Sequence, residues 1–283
     1  MTTVIASARA DALRLRRWPT VWVLTGIWLL LNVIFVYVFR YLAYRNGSGD
    51  FAEGTTPEEL LAGLLPGRVP LSVVQGLPMF GGAIILALGA LAAGSGFGWG
   101  TWKTALTQGP SRLAVGGGTL LALGGLVLAV LALTFVLDLG IASALAMVEG
   151  QSLRLPGFVA LVEAIGSGVL IMTMWALAGV ALGTLTRSPA LAVGLGVVWV
   201  LAVENLLRGV ASLVSWLGPV TDVLPGTAAG SLVAAIGATP VSEGGSPGVV
   251  TNLAGWPAVG VLLGYVVIFV VGTALVARRR DVS

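Results

Sequence analysis

Few residues of this chain could do chemistry. Carboxylates at Asp138, Glu163 and Glu204 stand within or beside long apolar runs, and the single lysine, Lys103, sits in a short polar gap between two such runs. An ionisable residue inside an apolar segment is by default a proton, ion or cargo contact. These three carboxylates fall at or near the far ends of their runs, where hydration is cheap, so two readings stand for each. One is a shared rim around an outer vestibule that favours cationic amphipathic cargo. The other is a plain side chain at headgroup level. Glu204 also has a local partner in Arg208, four residues on, in the favourable order for a helix. Asn32, mid-run, fits an interhelical hydrogen bond. The glycines, lysine and threonine of 98–104 suggest a phosphate-binding loop, but that loop needs lysine directly after glycine and a strand before it. Here Trp102 precedes Lys103, and no strand leads in.

The chain has no histidine and no cysteine. Imidazole bases, thiol nucleophiles, disulfides and the usual zinc and haem ligands are therefore excluded. No residue takes a catalytic or metal role, and the chain is not read as an enzyme. A lipid-modifying membrane enzyme would need clustered acids or histidines at one membrane face, and the sequence offers none. An ion-coupled carrier or channel would need deep titratable groups or an internal repeat, and the two halves show no repeat. That carrier and a non-transporting membrane anchor remain the alternatives.

The elements that must position these residues are membrane spans. The chain is 57% hydrophobic and 10% charged over 283 residues, with mean hydropathy +1.00. Soluble domains carry about 25% charged residues. A span needs roughly 20 apolar residues, and six runs qualify: 21–39, 77–93, 113–137, 158–185, 190–207 and 259–277. The expected fold is a single all-α transmembrane domain over 1–283. One lysine against fourteen arginines, with abundant Ala, Gly and Val, fits a GC-rich bacterial genome.

Basic residues set the orientation. With the N-terminus in the cytosol, ten basic residues and two acids fall inside, and five basic residues and ten acids fall outside. Both termini and the 94–112 connection are thus expected in the cytosol, and 40–75 and 208–257 outside, in a multi-pass cell-membrane protein. The first 17 residues lack a cleavage site and read as an interfacial amphipathic helix, with Val4, Ile5, Ala8, Ala12 and Leu15 on one arc. Pro19 ends it. In the first outer loop, Thr56-Pro57-Glu58-Glu59 carries a capping-box signature. The leucines that follow, Leu60, Leu61, Leu64 and Leu65, suit the membrane surface or a partner. Trp18, Trp22, Trp216 and Trp256 read as interface-belt residues. The proline-broken stretch 211–256 holds one short helix, 227–236, too short to span, which reads as re-entrant or as lying on the outer surface.

The 94–112 connection can form two helical turns over 101–108, stopped by Gly109-Pro110, with Ser111 free to cap the next helix. Gly100-Thr101, Lys103, Leu106 and Ser111-Arg112 resemble the coupling hairpin of ABC type-2 transporter permeases. The basic-Asp-aliphatic ending at 278–282 and the Leu224-Pro225 segment are similar to that family too, as is the order of elbow, six spans and re-entrant segment. The resemblance implies the permease subunit of an ATP-driven exporter. Gly100, Thr101, Trp102, Lys103, Leu106, Ser111 and Arg112 would then contact a separate ATPase, with two ATPase copies beside a second permease copy, identical or related. It implies no cofactor in this chain, and ATP and magnesium on the partner. The other reading of the hairpin helix is that it lies on lipid headgroups, with Trp102 in the belt and Lys103 on phosphate.

Overall fold

The computed structural model describes residues 2–47, 56–98 and 111–279. These are helical almost throughout, and no strand occurs among them. Six helices are long and apolar enough to cross a membrane: Pro19–Asn46, Leu77–Gly96, Ala114–Val148, Phe158–Thr186, Pro189–Ala211 and Gly255–Ala277. The chain is an all-α, multi-pass membrane protein. We call the end of the bundle that carries the N-terminal helix, Thr2–Arg17, the near end, and the opposite end the far end.

The bundle is centred on the second and fourth spans, which pack most closely. Small residues make this possible. A Cβ on Gly179 would overlap the Leu86 carbonyl, and one on Gly183 would lie 2.7 Å from the Ala90 carbonyl oxygen. The Gly179/Gly183 pair is thus a helix-crossing motif, whereas Gly260 and Gly264 have nothing within 4 Å of an added Cβ. Trp175, Ile171 and Met174 of the fourth span are fully buried. The sixth span is mostly exposed and rests on the fourth span and on a short helix, Pro225–Ala235.

Several elements differ from the sequence expectation. The third span does not stop at residue 137 but continues ten residues past Asp138 to Val148. Asp138 does not end it, because a partner from the first span satisfies the carboxylate inside the bundle. The capping box at Thr56 forms, with the Glu59 N–H donating to Thr56 Oγ1 at 3.3 Å and the Thr56 N–H donating to Glu59 Oε2 at 2.9 Å. The leucines after it do not lie on an outside surface. Leu60, Leu61 and Leu64 are buried within the chain, beside the far end of the first span. The next helix, Val69–Gln75, is also buried, packed against the third and fourth spans.

The N-terminal helix turns a different face inward from the arc expected. Ile5 and Ala12 are exposed, while Leu15 is buried and Val4, Ser7, Ala8, Asp11 and Arg14 are partly covered. This face packs on the start of the third span. The two backbones come close at Gly118, where a Cβ would lie 2.8 Å from the Ala8 nitrogen. Trp22, Trp216 and Trp256 are exposed, as belt residues would be.

Candidate functional site

The near end holds the mounts of the 94–112 connection. Arg14 Nη2 donates to the Ala92 carbonyl at 3.1 Å, close to the last turn of the second span. Asp11 accepts from the Thr119 hydroxyl at 2.6 Å and pairs with Arg14 at 3.3 Å. Ser7 Oγ donates to the Val115 carbonyl at 3.5 Å. One helix therefore ties both legs of the connection together. Ser111 caps the third span, accepting from the Ala114 N–H at 3.2 Å, and Arg112 begins that helix. Gly100, Thr101, Trp102, Lys103 and Leu106 lie outside the described residues.

Inside the bundle are two buried carboxyl groups. Asp138 is 0% exposed. Asn32 Nδ2 donates to its Oδ1 at 2.6 Å, and the Tyr37 hydroxyl donates to its backbone carbonyl at 3.3 Å. One turn away, Trp28 Nε1 donates to Thr134 Oγ1 at 3.0 Å. Three hydrogen bonds thus join the first span to the third. Asp138 Oδ2 and Asn32 Oδ1 are buried with no hydrogen-bond partner among the described residues. A cavity of about 30 Å³, lined in part by Asn32, Gln75, Phe80 and Ser246, adjoins Asn32. That is room for about one water.

Glu204 is 1% exposed. It accepts from Trp199 Nε1 at 3.1 Å and from the Gly226 N–H at 3.0 Å. Gly226 opens the short helix Pro225–Ala235, so the carboxylate sits where helix N–H groups are unpaired and the dipole favours negative charge. A Cβ on Gly226 would overlap Glu204. Trp199 and Glu204 lie five residues apart, and in an α-helix they would point about 140° apart. The π turn Trp199–Val203 brings them together. Asn205 answers a carbonyl loosened by that turn, donating to Leu201 at 3.0 Å, and Arg208 donates to Asn205 Oδ1 at 2.6 Å. The pairing of Glu204 with Arg208 expected from their spacing is replaced by these bonds.

The three carboxylates do not form a shared rim. Glu163 is exposed on the fourth span, whereas Asp138 and Glu204 are buried against different neighbours. Asp138 lies ten residues short of its helix end, about 15 Å along the axis. A partner in the first span and a helix start 22 residues downstream draw these two groups inward.

Sequence reading missed Glu149, which accepts from Tyr41 at 2.7 Å and Tyr44 at 3.1 Å and fastens the far ends of the first and third spans. The signal was present as Tyr41 and Tyr44, which share a helix face at i, i+3. It also missed an apolar cavity of about 620 Å³ between the fourth, fifth and sixth spans. Trp175, Leu182, Leu195, Trp199, Tyr265 and Phe269 are among its walls.

No protein-family model matches the chain, and no curated protein matches it. What the molecule does must therefore be argued from its own geometry and from the pattern of its residues.

Proposed function

We propose that this chain is the transmembrane subunit of an ATP-driven exporter, of the ABC type-2 permease kind. In this reading the near end faces the cytosol of a bacterial cell, and the 94–112 connection docks a separate ATPase. The observation that carries the reading is the N-terminal helix, bonded at Ala92 on one leg of that connection and at Val115 and Thr119 on the other. A pull on the connection would reach the second and third spans together. The second span forms the centre of the bundle with the fourth, so the motion has a route inward. The buried Pro225–Ala235 helix, about 16 Å long, fits a re-entrant element. Trp102 and Leu106 supply the apolar anchor, and Lys103 and Arg112 the charge, for an acidic groove on the ATPase. The chain itself binds no nucleotide, and a second permease copy completes the translocation path.

The test is the double variant Trp102→Ala with Lys103→Glu. The protein inserts, but its ATPase is lost on purification, or cargo no longer stimulates hydrolysis. Wild-type co-purification together with wild-type transport overturns the coupling role.

A second reading is favoured by one observation, the complete burial of Asp138 with Oδ2 unpartnered. A deep carboxyl of this kind suits an ion-coupled carrier that takes up a proton or cation with its cargo. The two readings separate in vesicles holding this chain alone. Cargo movement driven by an imposed pH gradient, and abolished by Asp138→Asn, supports the carrier. No gradient-driven movement, with transport restored by the ATPase and ATP, supports the exporter.

A further inference from the structure

The large cavity has walls of nearly pure hydrocarbon. Its polar residues are mostly spent on the protein: Thr184 donates to the Val180 carbonyl at 2.8 Å, Tyr265 to Val223 at 3.1 Å and Trp199 to Glu204. Only Trp175 Nε1, lying against Gly82, and Thr273 Oγ1 are without partners among the described residues lining it. No charged residue lines it. Its volume of about 620 Å³ lies within the ordinary range for small-ligand sites.

Shape and position narrow the occupant. The sixth-span wall runs from Tyr265 to Val276, about 16 Å of helix, or half the roughly 30 Å hydrocarbon thickness. It occupies the near half of that span and ends mid-bundle at Pro225. The walls continue into exposed apolar side chains at Leu195 and Val198 on one side and Ile268 on the other. The fifth and sixth spans make little direct contact, so the cleft between them meets the surface that faces the bilayer.

We propose that this cavity is a binding site for one acyl chain of a membrane lipid, drawn sideways from the leaflet at the near end. The chain lies between the fifth and sixth spans against the fourth, with its terminal methyl toward Pro225. The site needs no second subunit, so it stands apart from the export reading.

Gly272 provides the test. It lines the cavity, and an added Cβ meets nothing within 4 Å, so Gly272→Phe fills the site without displacing a neighbour. Gly264→Phe on the same helix also enters open space but does not line the cavity, and serves as the control. Full-length protein in phosphatidylcholine nanodiscs is photolabelled with phosphatidylcholine carrying a diazirine in its acyl chain, and adducts are mapped by mass spectrometry. Adducts at Leu182 and Phe269 are expected, falling several-fold in Gly272→Phe and unchanged in Gly264→Phe. Gly272→Leu, smaller and helix-compatible, gives an intermediate loss and guards against misfolding of the larger variant. Equal labelling in all three variants overturns the proposal, as do adducts confined to outward residues such as Val267. Disulfide trapping between two copies through Leu195→Cys and Thr273→Cys overturns it too, because a second copy would then fill the cleft.

Discussion

Asp138 and Glu204 are both buried carboxyl groups in apolar helices, yet the protein treats them differently. Glu204 is satisfied mainly by its own neighbourhood: an indole five residues back and the start of a helix that follows in sequence. Asp138 depends on Asn32 and Tyr37, whose distance along the chain exceeds 100 residues, and keeps one oxygen unpartnered. The first arrangement fixes a local shape, and the second fixes how two spans sit against each other. Because the protein fills only one of the two groups' hydrogen-bonding capacity, only Asp138 has an oxygen left to take up a proton, a water or an ion.

The largest expected effect is at Glu204. Glu204→Leu leaves the Trp199 and Gly226 N–H groups without an acceptor, and each buried, unsatisfied donor costs about 1–3 kcal/mol. Thermal unfolding in mild detergent should show a loss of about 2–4 kcal/mol, and Glu204→Gln should recover much of it. A change lost in the noise would mean that Glu204 does not hold the short helix in place.

At Asp138 the comparison is sharpened by a double-mutant cycle with Asn32. Asn32→Leu and Asp138→Leu should each destabilise, and the pair together should cost less than both added, by about 1–2 kcal/mol of coupling. Asp138→Asn should unfold near the wild-type temperature. Any transport that this last variant loses then belongs to the carboxyl group rather than to packing. An additive cycle would break the claim that these residues join the spans.

The smallest effect is outside the membrane, at a carboxylate with no buried partner. The Thr56 N–H, and after it the Thr56 hydroxyl, hold the Glu59 carboxyl below its ordinary range. Its folded value is thus lower than its unfolded one. The capping box is fully stabilising above the unfolded value and weakens as pH falls through the folded one. Hydrogen exchange over 57–63 should rise on acidification below the usual carboxylate range. Thr56→Ala should raise exchange at neutral pH and flatten that response.

Much of the frame was legible, because hydrophobic run length and composition are properties of the chain alone. The six spans and the Thr56 cap follow from that. The length of the third span did not, because what lets Asp138 sit mid-helix is Asn32, remote in sequence. The burial of Val69–Gln75 was equally hidden, since a seven-residue segment with two flanking prolines reads as a loop until its neighbours are known. The N-terminal helix was recognised, but its inward face was set by the small residues Ser7, Ala8 and Gly118 rather than by its largest apolar side chains. The two buried carboxylates were found as candidates, and their depth was misjudged for the same reason as the third span's end.

The π turns carry a consequence for how such a chain tolerates change in length. In the first span, the turn Val33–Val38 follows Asn32 and contains Tyr37, both of which reach Asp138. In the fifth, Trp199–Val203 joins Trp199 to Glu204. Each turn holds one residue more than an α-helical turn has room for. Deleting that residue would restore regular hydrogen bonding and would shorten the helix by only about 1.5 Å, while rotating everything downstream by about 100°. In the first span the rotation would swing Tyr41 and Tyr44 off Glu149, and in the fifth it would carry Glu204 away from Gly226. A local gain in helical regularity would thus unfasten contacts far along the rod, so these two sites behave as indexing marks, where a count of residues, more than their identity, sets which side of each span meets its neighbours.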